Sequence, residues 1–169
     1  MKKTTKTLIV LVALMAATMF AQGQTISTKY SDAEIETLIR DHKRMKSRHV
    51  QVDGVLLQKF QQDFPNARNA RSVKWKTAAG IYEVEFKVEN REWEAYYDAD
   101  GNLLMYETEI GIQELPAIVK NAAEARYPGY RFDEIDKIVK GRQTHYKIEM
   151  KSGKSKAKMR ITNAGVFVQ

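Results

Sequence analysis

Apolar positions along the chain follow two rhythms. Ile35, Leu38, Ile39, His42 and Met45 recur every three or four residues and make one stripe. Ahead of them Ser31-Asp32-Ala33-Glu34 has the capping-box pattern, in which Ser31 caps and Glu34 reaches back. Together they predict a helix over 32–46. Its end is basic (Arg40, Lys43, Arg44, Lys46, then Arg48), which suits the negative end of a helix dipole. Two shorter helices are predicted over 53–63 and 116–126, starting at Asp53 and Pro116. The pairs Phe64-Pro65 and Tyr127-Pro128 stop them, because proline lacks the N–H that a helix needs and biases the residue before it away from α. Elsewhere apolar and charged residues alternate in steps of two. That rhythm predicts strands over 71–77, 80–89, 92–98, 133–140, 144–151 and 155–162, with further extended segments at 103–110 and 166–169.

The pattern occurs twice. An offset of 63 matches Val52 with Leu115, Phe60 with Ala123, Phe64 with Tyr127, Pro65 with Pro128 and Trp75 with Ile138. One extra residue near Gly141 changes the offset to 64, which matches Tyr82, Val84 and Phe86 with Tyr146, Ile148 and Met150, and Gly101 with Gly165. The chain therefore divides into a leader (1–23), an extension with an amphipathic helix (24–50) and two repeats, 51–110 and 111–169, forming one compact unit. The expected class is α+β: tandem helix-plus-antiparallel-strand repeats, with the repeat helices on one sheet face and water on the other. Parity assigns Tyr82, Val84, Phe86, Trp93, Ala95 and Tyr97 to the helix side, and Trp75 is expected in the core with them. Glu83, Glu85, Glu92, Glu94 and Tyr96 fall on the water side, as do Lys147, Glu149, Lys151, Lys156, Lys158 and Arg160.

Composition narrows the class of protein. With 169 residues, 43% hydrophobic and only three prolines, the chain is neither disordered nor low-complexity. With no cysteine it has no disulfide, zinc knuckle or thiol nucleophile. Lys2, Lys3 and Lys6 precede an apolar run from Leu8 to Phe20, and Ala21-Gln22-Gly23 offers a cleavage site: the pattern of an export signal, with an apolar run short for a span. A lipid-anchoring cysteine is missing from it. The expected location is the periplasm or beyond the cell. Cleavage removes three lysines from a formal charge of +7, leaving +4, a weak basis for nucleic-acid binding.

The distribution of charge says more than its total. Residues 82–110 carry nine acids and two bases, whereas 137–160 carry nine bases and one acid. The water-facing sheet surface should be acidic at one end and basic at the other. Glu83, Glu85, Glu92 and Glu94 lack the apolar pocket that general-acid chemistry needs and are expected to be solvated. The run from Lys154 to Arg160 fits two readings, an edge strand guarded against aggregation or a basic platform for an acidic surface. Tyr96 and Met105 fall among the glutamates and are candidate interface anchors. None of His42, His49 and His145 stands in a nucleophile-elbow or zinc-binding motif, so no catalytic residue is assigned. Asp98-x-Asp100-Gly101-Asn102 has the residues of a tight turn and the wrong glycine position for a calcium loop. No metal or cofactor is expected.

Four stretches carry a family resemblance: Phe60-x-x-x-Phe64-Pro65-Asn66-Ala67, Val73-Lys74-Trp75, Tyr82-x-Val84-x-Phe86 and Tyr97-Asp98-x-Asp100-Gly101-Asn102. They resemble the PepSY-like family of exported bacterial proteins, also described as β-lactamase-inhibitor-like. The second repeat is similar through Leu115-Pro116, Tyr127-Pro128-Gly129-Tyr130 and Tyr146-x-Ile148-x-Met150. The resemblance covers about residues 50–169, leaving the first helix outside it. It implies a concave sheet face turned away from the helices. It also implies a non-enzymatic binding or inhibitory role towards another exported protein, of peptidase or β-lactamase class. The expected partner-binding residues are Lys147, Lys151, Lys156, Lys158, Arg160, Glu83, Glu85, Glu92, Glu94, Tyr96 and Met105. The alternative is a small-ligand or anionic-glycan binder.

Overall fold

The computed structural model describes residues 24–52 and 54–168; the expected leader (1–23) and the expected helix-start residue Asp53 lie outside the described residues. Nine strands pair in chain order into one antiparallel sheet. They are β1 (Arg48–His49), β2 (Arg71–Ala78), β3 (Ile81–Val88), β4 (Arg91–Tyr97), β5 (Leu103–Glu109), β6 (Arg131–Lys140), β7 (Gln143–Ser152), β8 (Ser155–Thr162) and β9 (Phe167–Val168). Strands β2–β5 fall within the expected first repeat and β6–β9 within the expected second. The β5–β6 ladder, from Met105 opposite Lys140 to Glu109 opposite Asp136, joins them.

The two repeat helices lie on one sheet face. Helix α2 (Gly54–Asp63) sets Leu56 and Phe60 onto Trp75, Val84, Phe86, Ala95 and Tyr97. Helix α3 (Ala117–Arg126) sets Val119 and Ala123 onto Ile135, Tyr146, Ile148, Met150 and Ile161. Both stop where the prolines require. The Phe64-Pro65 end continues as a 3-10 turn over Pro65–Asn69, and the Tyr97 hydroxyl donates to Asp63 Oδ2 at 3.1 Å, tying the end of α2 to β4. Each repeat closes with a glycine turn under its helix. Gly101 (φ +79°) and Gly165 (φ +80°) take the left-handed conformation, and a Cβ there would stand 2.9 Å from Lys59 Cγ and 3.0 Å from Ile118 Cγ1.

The acidic turn before β5 is a local hydrogen-bond knot. Asp98, buried, accepts from the backbone N–H groups of Asp100 (2.9 Å) and Asn102 (2.8 Å), from Asn102 Nδ2 (2.7 Å) and from the Tyr30 hydroxyl (2.9 Å), with Lys29 Nζ at 3.2 Å. Its carboxylate does the work of an Asx turn.

Helix α1 (Asp32–Arg44) goes to the other face. The Ser31–Glu34 capping box forms in both directions, with Glu34 N–H to Ser31 Oγ at 3.3 Å and Ser31 N–H to Glu34 Oε2 at 2.7 Å. The apolar stripe of α1 packs Ile35 and Ile39 against Ile81, Tyr96, Leu104, Met105 and Ile138. The face expected to meet water throughout is therefore covered at one end by the chain's own first helix.

Candidate partner-binding face

Strand parity brings most of the expected residues to one surface. Across the sheet run Glu83 and Glu85 on β3, Glu92, Glu94 and Tyr96 on β4, and Met105 and Glu107 on β5. Asp136 and Lys140 follow on β6, Lys147, Glu149 and Lys151 on β7, and Lys156, Lys158 and Arg160 on β8. Acids predominate on β3–β5 and bases on β7 and β8, with Asp136 of β6 and Glu149 of β7 as acids from the second half.

Three of the expected partner-binding residues are not available on that surface. Tyr96 is 1% exposed and Met105 4%, because α1 lies over them. Local alternation assigns the right face to both, but the helix that covers them comes from far along the chain. Glu83 is buried too, which corrects its expected solvation. His42 Nε2 lies 2.8 Å from Glu83 Oε2, while His42 Nδ1 lies 3.0 Å from the Ala78 carbonyl oxygen and the ring stands edge-on to Tyr96. His42 is a packing and pairing residue of the α1 seat.

Burial sorts the neighbouring carboxyls into two roles. At Glu83 burial favours the neutral acid, but hydrogen bonds from His42 and Glu94 and the charge of Lys76 outweigh it and hold the group below its ordinary value. Glu94 goes the other way. Burial, reinforced by the Glu83 charge against the smaller pull of Tyr96 and Lys43, pushes it up to about 7. Glu94 is thus the proton-bearing member of the pair near neutrality. Among the described residues Glu83, Glu85 and Glu94 have metal-ligand spacing, within 4.8 Å of one another. Lys76 is already paired with both Glu85 and Glu83 there.

The basic end has its own centre. Glu149, on β7, lies 2.6 Å from Lys156 Nζ and 2.8 Å from Lys158 Nζ. Hydrogen bonds from these two ammonium groups pull its carboxyl down to about 2. Lys151 pairs with Asp133, and Lys147 bridges to Glu107 (2.7 Å) and Asp136 (3.2 Å). Lys156, Lys158 and Arg160 along β8 remain exposed, the first two while paired with Glu149. Between the two ends lies an open hollow of about 540 Å³, whose lining includes Glu85, Glu94, Glu107, Glu109, Glu134 and Asp136, with Lys74 and Lys147. Its acidity is greater than the separate repeats suggest, because β6 adds Glu134 and Asp136 to the acids of the first repeat. Glu134 and Asp136 fall between the two windows counted in the sequence, 82–110 and 137–160.

The remaining histidines stand on other elements. His49 is exposed on β1, and His145 on β7 faces Gln143 Oε1 at 3.1 Å, with burial and the charges of Lys140 and Arg160 holding it below its ordinary value.

A single antiparallel sheet with two repeat helices on one face is the architecture shared with the β-lactamase-inhibitor-like proteins below. The family model described as "Putative beta-lactamase-inhibitor-like, PepSY-like" matches residues 42–105 and 80–169, and the chain belongs to that family. Its fold is shared by a BLIP-like protein from Bacteroides fragilis NCTC 9343, with 22% identity over 71% of this chain and 85% of that one and a TM-score of 0.56. A DUF2874 family protein from Bacteroides uniformis ATCC 8492 is similar at 18% identity, covering 70% and 88%, with a TM-score of 0.57. A Bacteroides eggerthii DSM 20697 structure described as "putative periplasmic proteins" is similar at 16% identity, covering 71% and 88%, with a TM-score of 0.58. No curated protein matches the sequence. The family match begins at residue 42 and so leaves out most of α1. Likeness to an inhibitor suggests a binding role in place of a catalytic one. Among the described residues no helix is long and apolar enough to cross a membrane.

Proposed function

We propose that the chain is a non-enzymatic, exported binding module that holds another exported protein against the uncovered part of its hollow sheet face. The observation that carries this reading is the sorting of charge: an acidic hollow over β3–β6 beside a row of exposed cations on β8. Such a dipolar face orients a partner of opposite pattern and speeds its docking more than it raises affinity. Residues Glu85, Glu92, Glu94, Lys147, Lys151, Lys156, Lys158 and Arg160 form the contact surface; Glu83, Tyr96 and Met105 support it from beneath α1. The leader pattern supports a periplasmic or secreted location, as does the description of the B. eggerthii neighbour.

The test is capture from the native exported-protein pool at moderate salt, with residues 24–169 as bait and the Lys156→Glu, Lys158→Glu, Arg160→Glu variant as control. A protein retained by the parent and released by the variant supports the reading, and its purified form should then associate more slowly as salt rises. Equal capture by both baits, or none by either, removes the β8 cations from the interface.

A further inference from the structure

The opposite face of the sheet carries a second concavity. Helices α2 and α3 each cover their own repeat, and where the repeats meet a groove of about 580 Å³ remains on the helix side. That size suits a small organic ligand. One wall is a set of rings: Trp93 lies parallel to Phe86 (16°, centroids 5.9 Å apart) and contacts Phe64 and Tyr106 at 5.6 and 6.1 Å. Val88 and Ile110 complete the apolar lining.

Sheet register places the polar groups. Trp93, Thr108, Lys137 and Tyr146 face one another in a row across β4–β7, and Tyr106 lies diagonal to Lys137. Adjacent strands stand about 4.8 Å apart, so Lys137 is roughly 10 Å from Trp93, the reach of one ring with a short tether. Of the groove's four charged residues, Arg91 is paired with Glu114 at 2.8 Å, Glu114 also accepts from the Gly111 N–H and feels the charge of Lys137, and Glu89 lies at the exposed mouth near Arg91. Among the described residues Lys137 has no ion-pair partner within 4 Å and the Tyr106 hydroxyl no hydrogen bond, so these two inner polar groups can donate to a ligand, while Gln24, Asn66 and Glu89 stand exposed at the rim.

We propose that this groove between the repeats is a binding site for a small aryl carboxylate, its ring against Trp93, Phe64 and Tyr106 and its carboxylate held by Lys137 and the Tyr106 hydroxyl. Aromatic ligands favour such offset and edge-on ring contacts. A carboxylate gives Lys137 the charge-assisted bond it lacks. The site opens on the helix side of the sheet and shares only the rings of Phe86 and Trp93 with the hollow of the proposed partner face, and it stands or falls without that reading.

The test uses matched probes on residues 24–169: 3-phenylpropionate, 3-phenylpropylamine and 3-phenyl-1-propanol, titrated by calorimetry and by tryptophan fluorescence. The carboxylate should bind one per chain and perturb tryptophan emission. Lys137→Gln, with an unchanged melting curve, should weaken it about tenfold or more, because a hydrogen bond to a charged group is worth that factor. Tyr106→Phe should weaken it less. Amine and alcohol should bind more weakly than the carboxylate. The Lys156→Glu, Lys158→Glu, Arg160→Glu variant should bind 3-phenylpropionate as the parent does. No saturable binding of the carboxylate at low-millimolar concentration overturns the proposal. So does equal binding of the amine, indifference to Lys137→Gln, or loss in the triple variant, which would place the probe on the other face.

Discussion

Two carboxyls show how much a single residue's surroundings decide. Glu94 rests at about 7 because burial and the Glu83 charge disfavour its ionised form. An acid raised in the fold is neutral in both states at low pH and costs stability as pH climbs from the unfolded value, near 4.3, through the folded one. Above pH 7 the cost is complete. Glu94→Gln should therefore raise stability at pH 8 by about 1–2 kcal/mol, after allowance for solvent screening, and change it little at pH 4. Urea melts at the two pH values check this, and an equal effect at both would sink it. Asp98 has the opposite bias: burial raises it, but the hydrogen bonds of Asn102, Tyr30 and Lys29 win and hold it low. Its contribution is complete above about pH 4 and is lost as pH falls towards its folded value. Asp98→Ala strips several part-buried donors of their acceptor and should cost about 2–3 kcal/mol at pH 7, with a smaller loss at pH 3. The turn chemistry of Asp98 was legible from Asp-x-Asp-Gly-Asn alone, since it depends on neighbours in the chain. The shift at Glu94 was not, because its causes lie on β3 and in α1.

Among the elements, α1 is the one whose place sequence reading left open. Its cap and stripe are local features and match the structure from Ser31 to Arg44. Its seat is a contact between residues 35–39 and residues 81–138, which no periodicity within the helix specifies. The same limit explains Tyr96 and Met105: alternation put them among the glutamates, and only the position of α1 makes them core. The two-residue strand β1, which pairs Arg48 with Thr77, was also missed, being too short to alternate. Since α1 sits alone on its face while the sheet is held from both sides, its attachment should be the weaker one. Ile39→Ala removes a buried side chain from the seat and should cost about 2–4 kcal/mol. Native-state hydrogen exchange should then show the α1 amides exchanging early while β3–β7 stay protected. Simultaneous loss of protection across the sheet would mean that α1 is part of the main cooperative unit.

At the scale of the whole molecule the question is whether two repeats make one folding unit. Each has its own core, one around Phe60 and Phe86 and one around Val119 and Ile148, which favours independent unfolding. Against that stands the β5–β6 ladder: separating the repeats would expose two unpaired strand edges in the middle of the sheet, together with Tyr106 and Ile138. Helix α1 adds a second bridge, since its seat takes Tyr96 and Leu104 from one repeat and Ile138 from the other. The balance favours a single transition. The two tryptophans, Trp75 and Trp93, both lie in the first repeat, so fluorescence follows that repeat while circular dichroism follows both. Ile161→Ala, in the second core and fully buried, should lower stability by about 2–4 kcal/mol. If the unit is single, this remote substitution moves the fluorescence midpoint as far as the dichroism midpoint. A fluorescence curve that stays at the parent midpoint while dichroism splits into two steps would show that each repeat folds on its own core, and that the shared ladder only aligns them.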